Sequence, residues 1–101
     1  MAKRLRWTEF AKSQRKNILK YWNDRNKSQN YSRKLNVFFN EIALMILKKP
    51  KIGVKLSDSE CRARLIRDYY IIYLISDKTI EIVSIWDTRQ DPEKLIEILD
   101  L

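Results

Sequence analysis

Four arginines in the second half of the chain, Arg62, Arg64, Arg67 and Arg89, are the residues whose type and spacing best suit chemistry. Arg62 and Arg64 are two apart, so on a strand they project to one face. Arg67 falls just past the end of that strand, and Arg89 just past the last one. Guanidinium groups converging on a concave sheet would grip phosphates through bidentate contacts. Trp86 and the tyrosines Tyr69, Tyr70 and Tyr73 offer surfaces for unpaired bases to stack on. Asp87 can orient an arginine, and Lys55 adds a further cation for binding. Such a set suits RNA cleavage: a base takes the 2′-OH proton, an acid protonates the leaving oxygen, and cations steady the phosphorane. Spacing alone does not choose among Tyr69, Tyr70, Tyr73 and Asp87 for the proton transfers. The strand arginines have an ordinary reading too, as partners of Glu60, Asp68, Glu81 or Asp87.

The absences are equally informative. The sequence has no histidine, one cysteine (Cys61) and one glycine. Ser-His-Asp and Cys-His nucleophile systems are therefore excluded, as is a zinc site of the usual nitrogen and sulfur type. A glycine-rich phosphate loop is excluded as well. No metal and no other cofactor is expected. A lone cysteine fits a reducing cytoplasm. The first residues lack the apolar core of a secretory signal, and no apolar run is long enough to span a membrane. At 101 residues, nearly half of them apolar, the chain is expected to be one domain, residues 1–101.

Charge is distributed unevenly. Residues 1–55 carry fifteen basic and three acidic side chains, whereas residues 56–101 carry six and ten. A half so basic implies an anionic partner: nucleic acid, an acidic protein or an anionic surface.

The elements that must position these residues follow from periodicity. Residues 3–7 alternate as a short strand, and Thr8 can cap a helix over about 9–25. Its stripe would be Phe10, Ala11, Ile18, Leu19, Tyr21 and Trp22. The polar stretch 23–30 breaks the pattern. A second helix, about 30–48, carries Tyr31, Leu35, Phe38, Phe39, Ile42, Met45 and Ile46 on one side, and Pro50 with Gly53 ends it. From residue 54 the period becomes two. Residues 61–66, 69–75 and 79–86 read as an antiparallel meander, the middle strand being apolar on both faces and so central. Asp91 and Pro92 can start a short last helix. The fold class is α+β: an N-terminal strand, a two-helix antiparallel hairpin, a three-stranded meander and a short C-terminal helix.

This chain resembles the RelE/ParE superfamily of bacterial toxins from type II toxin–antitoxin modules, over roughly residues 3–96. The resemblance rests on "RWTEFA" entering the first helix, "KKPKIG" leaving the second, the arginine-bearing strand before "DYYIIY", and "WDTRQDP" after the last strand. It implies a small antiparallel sheet packed on a helical hairpin, and a cognate antitoxin that is acidic and folds as it binds. In the RelE-like branch, which cleaves mRNA in the ribosomal A site, basic residues on the second and last strands act with a C-terminal tyrosine. Arg62, Arg64 and Arg89 match the basic positions. Tyr70 stands where that branch usually has a basic residue, and residues 91–101 hold no tyrosine. The main expectation is thus ribosome-dependent mRNA cleavage, with Arg62, Arg64, Arg89 and Tyr70 catalytic and Arg67, Trp86, Asp87 and Lys55 binding. Two alternatives stay open: inhibition of DNA gyrase without catalysis, as in the ParE-like branch, or a degenerate toxin that only binds its antitoxin.

Overall fold

The computed structural model describes residues 3–56 and 60–89. Strand β1 (Arg4–Trp7) leads into two long helices, α1 (Glu9–Asn26) and α2 (Asn30–Lys48). A 3₁₀ turn (Pro50–Ile52) and a two-residue strand β2 (Val54–Lys55) follow. The chain then runs through β3 (Cys61–Ile66), β4 (Tyr69–Ile75) and β5 (Thr79–Asp87). The expected C-terminal helix falls outside the described residues.

Thr8 caps α1 as its position suggested: its hydroxyl accepts from the Ala11 N–H at 3.1 Å, and its own N–H donates to the carbonyl of Ile82. The helix runs to Asn26, within a residue of its expected end near 25. It stops at Lys27, whose φ of 51° is left-handed. The polar stretch is therefore mostly helix. Asn23 Oδ1 accepts a short hydrogen bond from the Ser32 hydroxyl, which fastens the hairpin near its tip.

The sheet order is β1-β5-β4-β3-β2, with β4 central. β3, β4 and β5 form the antiparallel meander. Two features correct the sequence reading. β1 runs parallel to β5, so the sheet is mixed, and β2 adds a fifth strand against β3. Parallel pairing was invisible because β1 gives no clue to its neighbour. Two residues, likewise, are too few to display alternation.

Leu35, Phe39, Ile42, Ala43 and Ile46 of α2 pack with Ala11 of α1 over Tyr69, Ile71, Tyr73, Ile80, Ile82 and Ile85. Met45, expected in this stripe, is 45% exposed, and Phe10 and Tyr21 of α1 are also turned outward. Met45 stands about 100° round the helix from Ile46, whereas the smaller Ala43 is buried in the cluster. On the other face of the sheet, Ala63, Ile72 and Trp86 form a second cluster with Leu56, Cys61 and Val83.

A bulge in β5 decides which side chains face which way. Tyr73 pairs with Ile82, but Ile72 pairs with Ser84, leaving Val83 as an extra residue. Before the bulge the even-numbered residues Ile80 and Ile82 face the helices; after it the odd-numbered Ile85 and Asp87 do. Gln14 of α1 holds this irregularity, its Oε1 accepting from the Ile85 N–H (2.8 Å) and from the Ser84 hydroxyl (3.1 Å). Gln14→Met keeps the bulk and loses the acceptor. It is expected to cost about 1–3 kcal/mol in urea unfolding, while Gln14→Glu should retain most of the stability.

Candidate functional site

β3 presents Arg62 and Arg64 to the side on which the helices pack, because Arg62 lies opposite Tyr73 and Arg64 opposite Ile71. Arg62 is engaged structurally. Its Nη1 donates to the Gly53 carbonyl at 2.8 Å, while the Gly53 N–H donates to the Tyr73 hydroxyl at 2.8 Å. That hydroxyl in turn donates to the Pro50 carbonyl at 2.6 Å. Together these bonds latch the turn after α2 onto the sheet. Arg64 has a buried Nε with no hydrogen-bond partner among the described residues. Lys55 lies opposite Arg62 on β2 and is exposed. Arg67 occupies a left-handed conformation (φ 53°) that lets residues 67–68 close the turn between the paired Ile66 and Tyr69. Its guanidinium sits 4.5 Å from the centre of the Phe38 ring.

A separate cluster forms where β5 ends beneath the hairpin tip. Asp87 and Arg89 make a closed pair: Arg89 Nε and Nη2 donate to the two carboxylate oxygens at 3.0 and 2.7 Å, and the Arg89 N–H adds a third bond at 2.9 Å. The Arg89 side chain holds the Asp87 carboxyl below its usual range, against the opposing effect of burial. The Arg89 guanidinium is pushed up by the same bond. Beside them the Trp22 indole N–H donates to the Tyr69 hydroxyl at 2.8 Å. Burial raises the pKa of Tyr69, so it remains a neutral phenol at physiological pH. Arg25 and Arg89 each lie 5.9 Å from the Trp22 ring centre. A cleft of about 480 Å³ opens here, lined by Asn17, Ile18, Tyr21, Tyr69, Asp87 and Arg89 among others.

The Asp87 pair carries a pH signature. Its folded pKa is depressed, so its contribution is fully present above the unfolded value near about 4. It is lost as pH falls through the folded one. Between about pH 5 and pH 3, wild type is expected to lose more thermal stability than Asp87→Asn, measured by melting at fixed ionic strength.

The residues expected to act together are thus dispersed. Arg62 and Arg64 are on β3, two strands (roughly 10 Å) from the β5 line that ends at Asp87 and Arg89. Tyr70 pairs with Leu65 and Trp86 on the opposite face of the sheet, so alternation keeps it apart from both β3 arginines. Tyr69 and Tyr73 do face the helices, yet they are 2% and 0% exposed and their hydroxyls are bonded. Trp86 is 5% exposed and packs on Ala63 and Ile72. Arg62 and Arg64 share the helix-side face with Asp87, whereas Tyr70 and Trp86 lie on the other.

Sequence reasoning missed Arg15. Its guanidinium lies 4.7 Å from the Trp7 ring centre and 5.8 Å from that of Phe39. It donates to Asn36 Oδ1 (2.8 Å from Nε, 2.5 Å from Nη2), to the Asn36 carbonyl (3.2 Å) and to Asn40 Oδ1 (2.8 Å). Partial burial lowers its pKa, but a guanidinium stays charged at any physiological pH. Residues 15, 36 and 40 are too far apart in sequence for spacing to signal their meeting.

A helical hairpin packs on a five-stranded mixed sheet, and the first half of the chain is basic. The family profile described as "ParE toxin of type II toxin-antitoxin system, parDE" matches residues 5–92. The chain therefore belongs to the ParE toxin family, and its partner is a cognate antitoxin. A solved structure titled "Chromosomal ParDE TA system from P. aeruginosa" has the same fold: TM-score 0.74 at 15% identity, covering 87% of this chain and 98% of that one. Among curated proteins none matches the sequence significantly. Among the described residues, no helix is long and apolar enough to cross a membrane.

Proposed function

We propose that this toxin inhibits DNA gyrase by binding it in the cytoplasm, without chemistry of its own. The observation that carries this reading is the match of residues 5–92 to the toxin of parDE modules, the branch whose resemblance implies gyrase. Geometry supports it in a second way. Cleaving RNA needs a proton acceptor and cations around one phosphate. Here the tyrosines on the arginine side are buried and bonded, and Tyr70 is across the sheet. Arg62 holds the Gly53 carbonyl, and Arg89 holds Asp87. A fixed, basic scaffold suits a binder better than a nuclease.

Expression without antitoxin is expected to stop growth, and primer extension on mRNA from a translation extract with added toxin should reveal no new 5′ ends. Ribosome-dependent cleavage that vanishes in Arg64→Ala would favour the nuclease reading instead.

A further inference from the structure

The cationic surplus of the first half has a focus that gyrase binding does not by itself explain. Arg15 is held between the Trp7 and Phe39 rings with no acidic partner among the described residues. Its acceptors are neutral amides. Because Asn36 and Asn40 both turn Oδ1 toward Arg15, each amide directs its NH₂ donors away from it. Lys12, Arg15 and Lys16 line a shallow cleft of about 330 Å³ with Trp7 and Leu19. Among the described residues Lys12 has one acidic partner, Glu9, at the exposed start of α1, and Lys16 has none. Lys12, Lys16 and Lys20 recur at four-residue intervals, about 6 Å per step along one side of α1. All three are exposed.

This surface is nearly all donor and cation, fixed at its centre by a guanidinium that the rings and amides hold in place. The Trp7 face that Arg15 covers is unavailable for stacking on a base. Such a surface matches a regular polyanion read through its backbone rather than its bases. We propose that the outer side of the helical hairpin, centred on Arg15 with Lys12, Lys16, Asn36 and Asn40, binds the phosphate backbone of double-stranded DNA. This goes beyond the gyrase reading and, where that reading holds, would let the toxin touch the DNA that gyrase carries.

The test is fluorescence anisotropy of a labelled 20-base-pair duplex titrated with the purified full-length toxin across a salt series, in the absence of gyrase. Wild type is expected to bind without sequence preference, with log affinity falling linearly with log salt. The Lys12→Gln/Lys16→Gln double variant should bind on the order of tenfold more weakly, with a salt slope shallower by about 2. Both side chains are on the surface, and an unchanged circular dichroism melt would establish that the variant is folded. Equal binding by variant and wild type, or no binding at low salt, overturns the proposal. A poly-glutamate chain bound by wild type while the duplex is not would instead mark the surface as a seat for an acidic peptide. DNA binding without gyrase inhibition would leave this inference standing and remove only the gyrase reading; the reverse result would do the opposite.

Discussion

Gly53→Ala is expected to destabilise the protein by about 2–4 kcal/mol. The reason is not backbone freedom, since φ at Gly53 is −78°, a value open to any residue. It is space. A methyl group here would lie 2.5 Å from the Tyr73 hydroxyl, 2.9 Å from Tyr73 Cε1 and 2.9 Å from the Ala63 carbonyl oxygen. One contact is backbone and the others belong to a fully buried ring, so nothing nearby can yield cheaply. Either the hydroxyl withdraws, leaving the Gly53 N–H and Pro50 carbonyl unpaired, or β2 lifts from β3 and Arg62 loses its acceptor. Urea unfolding should show a lower midpoint, and thermal melting a drop of roughly 8–30 °C. In a Tyr73→Phe background the same substitution should cost less, because the hydroxyl it strikes is gone. Strict additivity of the two changes would contradict this description of the latch.

Phe39→Ala carries the other large effect, about 3–5 kcal/mol. Phe39 is 0% exposed at the centre of the layer between α2 and the sheet. Its ring meets Tyr69 edge to face at 5.9 Å and lies under Arg15 at 5.8 Å. Removing it opens a cavity between hairpin and sheet and withdraws one of the two rings that hold Arg15. Phe39→Leu should cost about 1–2 kcal/mol, since most of the volume survives. If growth inhibition depends on the folded surface, toxicity on expression should fall with the first substitution and largely persist with the second. Equal stability of the alanine and leucine variants in urea would show that the ring packs less closely than its contacts indicate.

What the sequence made legible, and what it hid, follows from the range of the forces involved. α2 was readable because its apolar residues repeat at the helical period, and Thr8 because a cap is a local interaction. The meander was readable because residues 61–66 alternate and residues 69–75 form a β-prone run apolar on both faces. Met45 and Phe10 were misplaced because periodicity marks an apolar side of a helix without marking how much of it the sheet covers. The orientation of Asp87 depended on the bulge at Val83, held by Gln14 from seventy residues away. No local pattern announces that contact. Arg62 looked like a ligand for phosphate because its type permits it, whereas a nearby backbone carbonyl occupies it. Tyr70 looked adjacent to the strand arginines along the chain, but the pleat sends it to the other face. Arg15 was silent because two distant asparagines and two rings define it.

The most direct test of the proposed function is a supercoiling reaction with purified gyrase, relaxed plasmid and ATP, titrated with toxin in the presence and absence of its antitoxin. Supercoiling should fall as toxin approaches the concentration of gyrase and recover when antitoxin is added. Arg64→Ala and Tyr70→Phe should inhibit as well as wild type, since neither is assigned a chemical role. Supercoiling unaffected at a large excess of folded toxin would contradict the gyrase reading outright.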